Sequence, residues 1–150
     1  MKRSLLPALI LLVNSACTAS VSHAPTAVDL HGQHFSTELA TDEASREQGL
    51  MHRDALAPNH GMLFVFTEEK PQAFWMKNTL IPLDILYFDT NRRLVSTQMD
   101  VPPCTTNPCA TYPSRASARY VLELPAGTAR RIGAQAGDVL EIDGDVGTVR

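Results

Sequence analysis

Apolar and polar residues alternate with a period of two along much of the chain, the pattern of β-strands with one buried face. The runs that predict strands lie, in chain order, at 27–30, 34–40, 61–67, 73–78, 82–90, 93–101, 118–124 and 137–142. Residues 68–72, EEKPQ, are polar and contain a proline, so they predict a turn between two strands of a hairpin. Prolines also recur over 102–114, which predicts a long loop.

Two short segments have helical features instead. Thr41 is placed to act as an N-cap, Asp42 and Glu43 would occupy the first turn, and Gly49 is placed to end the helix. A second short helix is predicted over 126–134. About seven or eight strands and two short helices predict a mainly β domain, a compact antiparallel barrel or sandwich with the helices at its periphery.

The N-terminal segment has the features of an export signal. Lys2 and Arg3 precede an apolar run over 5–13, which is too short to span a bilayer. Cys17 follows two small residues and resembles the lipidated cysteine of bacterial lipoproteins. We therefore predict a signal peptide over 1–16 and a lipid-anchored tether over 17–26.

Export with a lipid anchor predicts a cell-envelope protein that faces the periplasm and contacts the membrane through its lipid alone. Thr18, rather than Asp, follows the cysteine, which favours the outer membrane. The alternative is cleavage near Ala19 or Ala24, which would release a soluble periplasmic or secreted protein.

The remainder is long enough for one domain, predicted over 27–143, with a C-terminal tail over 144–150. The formal charge of −3 becomes about −5 when Lys2 and Arg3 leave with the signal peptide. An acidic chain without a basic stretch argues against nucleic acid as a partner.

The chain has three cysteines. If Cys17 carries lipid, Cys104 and Cys109 are left as a pair that an oxidising compartment would join in a disulfide. No further ligand lies near these two in sequence, so we expect no metal there, and we expect no cofactor elsewhere.

Four stretches occur in an order that resembles one protein family: GLMHR (49–53), GMLFVF (61–66), FWMKNTLIPLDILYFD (74–89) and YVLELPAG (120–127). They are similar to the bacterial and archaeal family called domain of unknown function 192 (DUF192), over residues 28–142. The resemblance implies a small, mainly β domain that is often exported, and it brings no established activity. Its longest motif contains the polar and turn residues Lys77, Asn78, Thr79, Pro82 and Asp84.

Lys77, Asn78 and Thr79 interrupt an apolar region directly after an aromatic run. Convergent donors and acceptors in an apolar setting are typical of a site for a small polar ligand, with Arg53 and Trp75 at its edges. An amphipathic indole such as that of Trp75 can also support a sugar ring. The alternative is a plain polar turn, in which Asn takes a left-handed conformation.

Asp84 lies between apolar neighbours in a predicted strand. A buried carboxylate needs a partner, so we expect an ion pair with Arg46 or Arg53. The alternatives are a general base that acts with His52 in a small hydrolase or transferase, and simple exposure to solvent.

A third hypothesis is a periplasmic copper module, since thioethers and imidazole suit Cu(I). Its ligands would be Met51, His52, Met62 and Met76. The preferred prediction is a non-catalytic, envelope-tethered domain that binds a small polar ligand, a glycan or a partner protein, and whether it catalyses a reaction stays open.

Overall fold

The computed structural model describes residues 26–150. The predicted signal peptide, Cys17 and all of the predicted tether except Thr26 lie outside the described residues. Among the described residues, no helix is both long and apolar enough to cross a membrane. The segment predicted as a C-terminal tail packs on the domain, because Val146 and Val149 contact the core and the Arg150 N–H donates to the Thr41 carbonyl at 2.9 Å.

About half of the described residues lie in seven strands and 9% lie in two short helices, so the prediction of a mainly β domain is confirmed. The strands are β1 (Ala27–Leu30), β2 (Gln33–Ala40), β3 (His60–Trp75), β4 (Leu83–Phe88), β5 (Leu94–Val101), β6 (Thr111–Pro125) and β7 (Leu140–Asp143). The helices are α1 (Glu43–Gln48) and α2 (Thr128–Ile132).

The strands form one sheet in the order β5-β4-β6-β3-β2-β1-β7. The two edge strands approach each other at a bridge between Arg93 and Val139. Next to it, the Leu94 N–H donates to the Asp138 carbonyl and the Leu140 N–H to the Arg92 carbonyl, each at 2.8 Å. The sheet therefore curls into a half-barrel.

One strand pair departs from the antiparallel arrangement expected for the whole sheet. β2 and β3 are parallel, with Ser36 opposite His60 and Ala40 opposite Phe64. A parallel pair needs a crossover connection. Here α1 and the loop over 49–59 carry the chain back to the start of β3. The other neighbouring pairs among the described strands are antiparallel.

The predicted turn at 68–72 is wrong. β3 continues through these residues as one 16-residue strand, and both of its halves pair with β6. The pairing of β3 with β6 shifts register twice at this irregular segment. There the Gln72 N–H donates to the buried Ser114 hydroxyl at 3.0 Å. Because β6 begins at Thr111, the predicted loop over 102–114 is shorter than expected.

Strand β4 and residues 121–124 of β6 are buried on both faces. Leu122 and Leu124 pack into one apolar cluster, whereas Val121 packs into a second cluster on the opposite face of β6. Residue 123 shares the face of Val121, because side chains alternate along a strand. The sheet thus places a glutamate, Glu123, in the second apolar cluster.

The first helix begins one residue later than the sequence predicts. Asp42, rather than Thr41, is the N-cap, and its Oδ1 accepts the Ser45 N–H at 2.9 Å. The Ser45 hydroxyl accepts the Asp42 N–H in return, at 3.2 Å. The bond from the Ser45 amide lowers the pKa of Asp42. Gly49 ends the helix with φ of 48°, as predicted.

Candidate functional site

Trp75 is the last residue of β3 and is 43% exposed. It is opposite Thr111 on β6, and the alternation of the strand turns its neighbour Phe74 inward. The Phe74 ring meets Phe64 edge-on at 4.9 Å and Tyr87 at 5.9 Å. Packing of Phe74 therefore fixes the end of the strand, which holds the indole at the surface.

The turn after Trp75 carries two of the predicted site residues. The Lys77 Nζ lies 4.9 Å from the centre of the indole, within the range of a cation–π contact. Asn78 adopts a left-handed backbone with φ of 54°, and its carbonyl accepts the His52 N–H at 2.8 Å. His52 is itself left-handed, with φ of 62°. The loop after α1 and the turn after β3 are thereby joined.

Three surface hollows share Trp75 as a lining residue, and we call them together the Trp75 surface. The helix hollow, of about 360 Å³, lies against α1 and includes Glu43, Arg46, Glu47, Phe66, Gln72, Ala73 and Phe74. The loop hollow, of about 420 Å³, includes Ala44, Glu47, Gln48, Met51, His52, Lys77 and Asn78. The disulfide hollow, of about 680 Å³, includes Lys77, Asn78, Cys104, Thr106, Asn107, Pro108, Cys109 and Thr111. Lys77 and Asn78 therefore share two hollows.

Thr79 lies apart from these two residues. It is buried, its N–H donates to the Met76 carbonyl at 3.2 Å, and its hydroxyl donates to the Lys77 carbonyl at 3.4 Å. It lines a narrow cavity beneath the indole rather than the hollows that contain Lys77 and Asn78. The three consecutive polar residues are thus divided between the surface and the interior.

Cys104 and Cys109 form a disulfide, as predicted, with Cα atoms 5.7 Å apart. The Cys104 N–H also donates to the Met76 carbonyl at 3.4 Å. The disulfide loop is therefore attached to the turn after β3. It forms one wall of the disulfide hollow opposite Trp75.

The narrow cavity, which we call the inner cavity, has a volume of about 30 Å³. Its lining comes from α1 and from each of the four stretches that carry the family resemblance: Arg46, Glu47, Gln48, Gly49, Leu50, Met51, Phe64, Phe74, Trp75, Thr79 and Glu123. Segments far apart in sequence therefore converge beneath Trp75.

Glu123 is the residue of this site that the sequence reasoning missed. It is 4% exposed, and among residues 26–150 no salt bridge reaches its carboxyl group. Burial raises the pKa of Glu123 to about 8. The sequence feature that could have identified Glu123 is an acidic residue inside the apolar stretch YVLELPAG. The same kind of feature identified Asp84 as a buried carboxylate.

Asp84 is fully buried, as predicted, but the expected ion pair with an arginine is wrong. Its Oδ1 accepts the Asp100 N–H at 2.8 Å, and its Oδ2 accepts the Ala129 N–H at 2.7 Å. The first amide lies where β5 bulges away from β4, and the second lies in the first turn of α2. Gly127, the N-cap of α2, has no side chain to cap the helix, so Asp84 does so from the neighbouring strand.

The two arginines expected beside Asp84 have other partners. Arg53 pairs with Glu38 at 2.6 Å and lines neither the Trp75 surface nor the inner cavity. Arg46 donates to the carbonyls of Val65 at 3.0 Å and Arg150 at 2.8 Å. Arg53 is therefore not at the edge of the candidate site, whereas Trp75 is at its centre.

Neither alternative hypothesis has all of its residues in one hollow. Asp84 is enclosed by the two amides that it binds, whereas His52 is exposed in the loop hollow. Met62 and Met76 are buried in the second apolar cluster, whereas Met51 lines the loop hollow and the inner cavity. Over 26–150, no group of three or more His, Cys, Asp or Glu side chains is placed to hold a metal ion.

Comparison with known proteins agrees with the resemblance of the four stretches. The DUF192 profile, described as Uncharacterized ACR, matches residues 26–142. The chain belongs to the DUF192 family. A UPF0127 protein of Thermococcus gammatolerans is 30% identical over 112 residues, which cover 73% of this chain and 68% of the relative.

Two solved structures share the fold of this DUF192 protein. One, from Sinorhizobium meliloti, is described as a candidate transcription regulator; it is 42% identical, with a TM-score of 0.73, over 82% of this chain and 97% of that one. The other is a protein of unknown function from Novosphingobium aromaticivorans. It is 30% identical, with a TM-score of 0.70, over 84% of this chain and 89% of that one.

Proposed function

We propose that this DUF192 domain is a non-catalytic binding module that holds a small polar ligand, with a saccharide as the best-fitting class, on the Trp75 surface. The observation that carries the proposal is the position of Trp75. One half-exposed indole forms part of three hollows, and its strand is held in place by the partly buried ring of Phe74. A rigid aromatic platform of this kind offers binding area at little cost in entropy.

The groups around the indole match the chemistry of a sugar. A sugar ring has an apolar face that can pack on an indole, and its rim of hydroxyls needs donors and acceptors. Lys77 supplies an ammonium donor, and the Asn78 amide supplies both a donor and an acceptor. Both side chains are exposed beside Trp75, in the loop and disulfide hollows.

The location we propose follows from the N-terminal sequence. Cys17 would carry the lipid, and the tether would place the domain on the periplasmic side of the envelope, with the outer membrane favoured. Envelope polysaccharides would then be within reach of the Trp75 surface. The description of the S. meliloti relative is not extended to this chain, because a formal charge of −3 gives no support for nucleic-acid binding.

Titration calorimetry with a panel of neutral and amino saccharides tests the proposal. The full chain would carry Cys17→Ser, so that no lipid is attached. We expect Trp75→Ala to abolish binding of any saccharide that the protein holds, and Lys77→Ala to weaken it by about tenfold. Lys70→Ala is the matched control, since Lys70 is also an exposed lysine of the same region but lines none of the three hollows.

Two results would contradict the proposal. One is a complete absence of saccharide binding. The other is binding whose affinity is the same with Trp75→Ala as with the unchanged residue, which would place the ligand elsewhere on the domain.

A further inference from the structure

The inner cavity contains a carboxyl group with no partner for its charge. Glu123 lies on the central strand β6, between Met62 of β3 and Ile85 of β4. Among the hydrogen bonds and ion pairs of residues 26–150, none ends at its carboxyl oxygens; the residue keeps a slight exposure of 4%, and burial is the cause of its raised pKa. Buried carboxyl groups ordinarily have partners, so an unpaired one that lines a cavity is a candidate for ligand contact.

The cationic side chain that lines the cavity is engaged elsewhere. Arg46 lines the inner cavity, but its guanidinium donates to the backbone carbonyls of Val65 and Arg150 and lies over the Phe66 ring at 5.3 Å. In the helix hollow, which shares Trp75 and Phe74 with the inner cavity, Glu43 and Glu47 outnumber this single arginine. The excess of carboxylates in the helix hollow favours a positively charged ligand.

We infer that the inner cavity binds the ammonium group of an amine-bearing ligand, with Glu123 as its carboxylate partner. The inference rests on the proposed ligand-binding function and narrows its ligand to amines, amino sugars included. The rest of the ligand would occupy the helix hollow against Trp75, since the two spaces share this residue.

The size and the lining of the cavity fit an ammonium group. A cavity of about 30 Å³ has room for a group the size of a water molecule, and an ammonium group is similar in size. Its three N–H donors can reach acceptors of two kinds here, the Glu123 carboxylate and the Thr79 hydroxyl. The rings of Phe64, Phe74 and Trp75 also line the cavity, and aromatic faces attract cations.

Binding of a cation in this position releases a proton. The pKa of Glu123, raised to about 8 by burial, keeps the carboxyl group neutral at pH 7, and an ammonium ion favours the ionised form. The other titratable or charged side chains at the cavity are Arg46 and Glu47 of α1. On β4, burial and then the charge of Glu123 raise the pKa of Tyr87, which stays neutral.

The test uses methylammonium chloride as the smallest probe and the full chain with Cys17→Ser. Trp75 is the sole tryptophan, so its indole N–H gives a single NMR signal that reports on the cavity. We expect methylammonium to shift the indole N–H signal in a saturable way. Methanol, a neutral probe of similar size, and sodium chloride at the same concentration should cause no shift. Affinity should rise about tenfold from pH 6 to pH 7 and level off above pH 8.

Glu123→Gln keeps the shape of the protonated side chain and should abolish methylammonium binding, whereas Glu47→Gln should retain it. Each variant should first be shown to keep the melting behaviour and spectrum of a folded domain. Equal shifts with methanol, or methylammonium binding that persists in Glu123→Gln, would overturn the inference. Binding of a neutral saccharide without any methylammonium binding would overturn it and leave the proposed function standing. Methylammonium binding without saccharide binding would support the inference and contradict the saccharide class.

Discussion

Glu123→Gln should change how the stability of the domain depends on pH. The carboxyl group has an ordinary pKa of 4.5 in the unfolded chain, and burial raises this pKa to about 8 in the folded protein. Below pH 4.5 both states hold the proton, and the native state has its full stability. Between pH 4.5 and 8 the unfolded chain releases the proton while the folded protein retains it, so the free energy of unfolding falls as pH rises.

The size of the effect follows from the difference between the two pKa values. One pKa unit corresponds to about 1.4 kcal/mol, so a difference of about 3.5 units lowers the free energy of unfolding by about 5 kcal/mol between pH 4.5 and 8. Gln does not titrate and contributes no such slope. The variant should therefore gain stability relative to the unchanged protein as pH rises, at about 1.4 kcal/mol per pH unit, and the difference should be constant above pH 8.

Urea unfolding followed by circular dichroism, at half-unit steps from pH 5 to pH 9, measures this difference. Subtracting one curve from the other removes the contributions of the histidines and the other carboxyl groups to the pH dependence, because these groups titrate alike in both proteins. Glu47 is exposed, so the curve of unfolding free energy against pH for Glu47→Gln should be parallel to that of the unchanged protein. Parallel curves for Glu123→Gln would show that Glu123 is ionised in the native state and would refute the reasoning.

Three further predictions concern residues outside the inner cavity. Asp84→Ala should lower the free energy of unfolding by about 3–5 kcal/mol, because the backbone amides of Asp100 and Ala129 lose a charged acceptor; an unchanged urea midpoint would contradict this. Reduction of Cys104–Cys109 should cost only about 2 kcal/mol, since the closed loop is short. Both thiols should resist alkylation until a reductant is added, and free alkylation in protein taken from the periplasm would count against the pairing there. Radioactive fatty acid should label the protein in cells and fail to label Cys17→Ser, whereas equal labelling of both would exclude Cys17 as the acceptor.

Local patterns were sufficient to predict much of the secondary structure. Alternation placed β1, β2, β4, β5 and β7 close to their observed positions, because each is a short strand with turn residues at its ends. Gly49 ends α1 as expected, since a positive φ at a helix end favours glycine. These features depend on neighbours in sequence, which is why the sequence alone reveals them.

Features that depend on distant partners were not predictable in this way. The segment EEKPQ continues as part of β3 because the bulged pairing with β6, with the Ser114 hydroxyl as an acceptor, gives its backbone a place in the sheet. The parallel pairing of β2 with β3 likewise depends on the path of the chain through α1. Neither the partner strand nor the register can be read from the segment itself.

The two buried acidic residues show the same limit at the level of single side chains. Both lie in apolar strands, and the sequence pattern alone led us to expect an arginine partner for Asp84. In the structure, Asp84 accepts hydrogen bonds from two backbone amides, one at a bulge and one at the start of a helix. Glu123 instead lines a cavity. A buried carboxyl group is visible in the sequence, but its partner is decided by the fold.

The central claim is that a small polar ligand binds on the Trp75 surface, and a map of backbone amide shifts tests it most directly. The full chain with Cys17→Ser would be labelled with ¹⁵N and titrated with glucosamine, glucose and soluble cell-wall saccharides. We predict that saturable shifts cluster at the end of β3, the turn at 76–79 and α1, with the Trp75 indole N–H among the largest. Shifts confined to the opposite face of the sheet, or no shifts with any saccharide, would contradict the account.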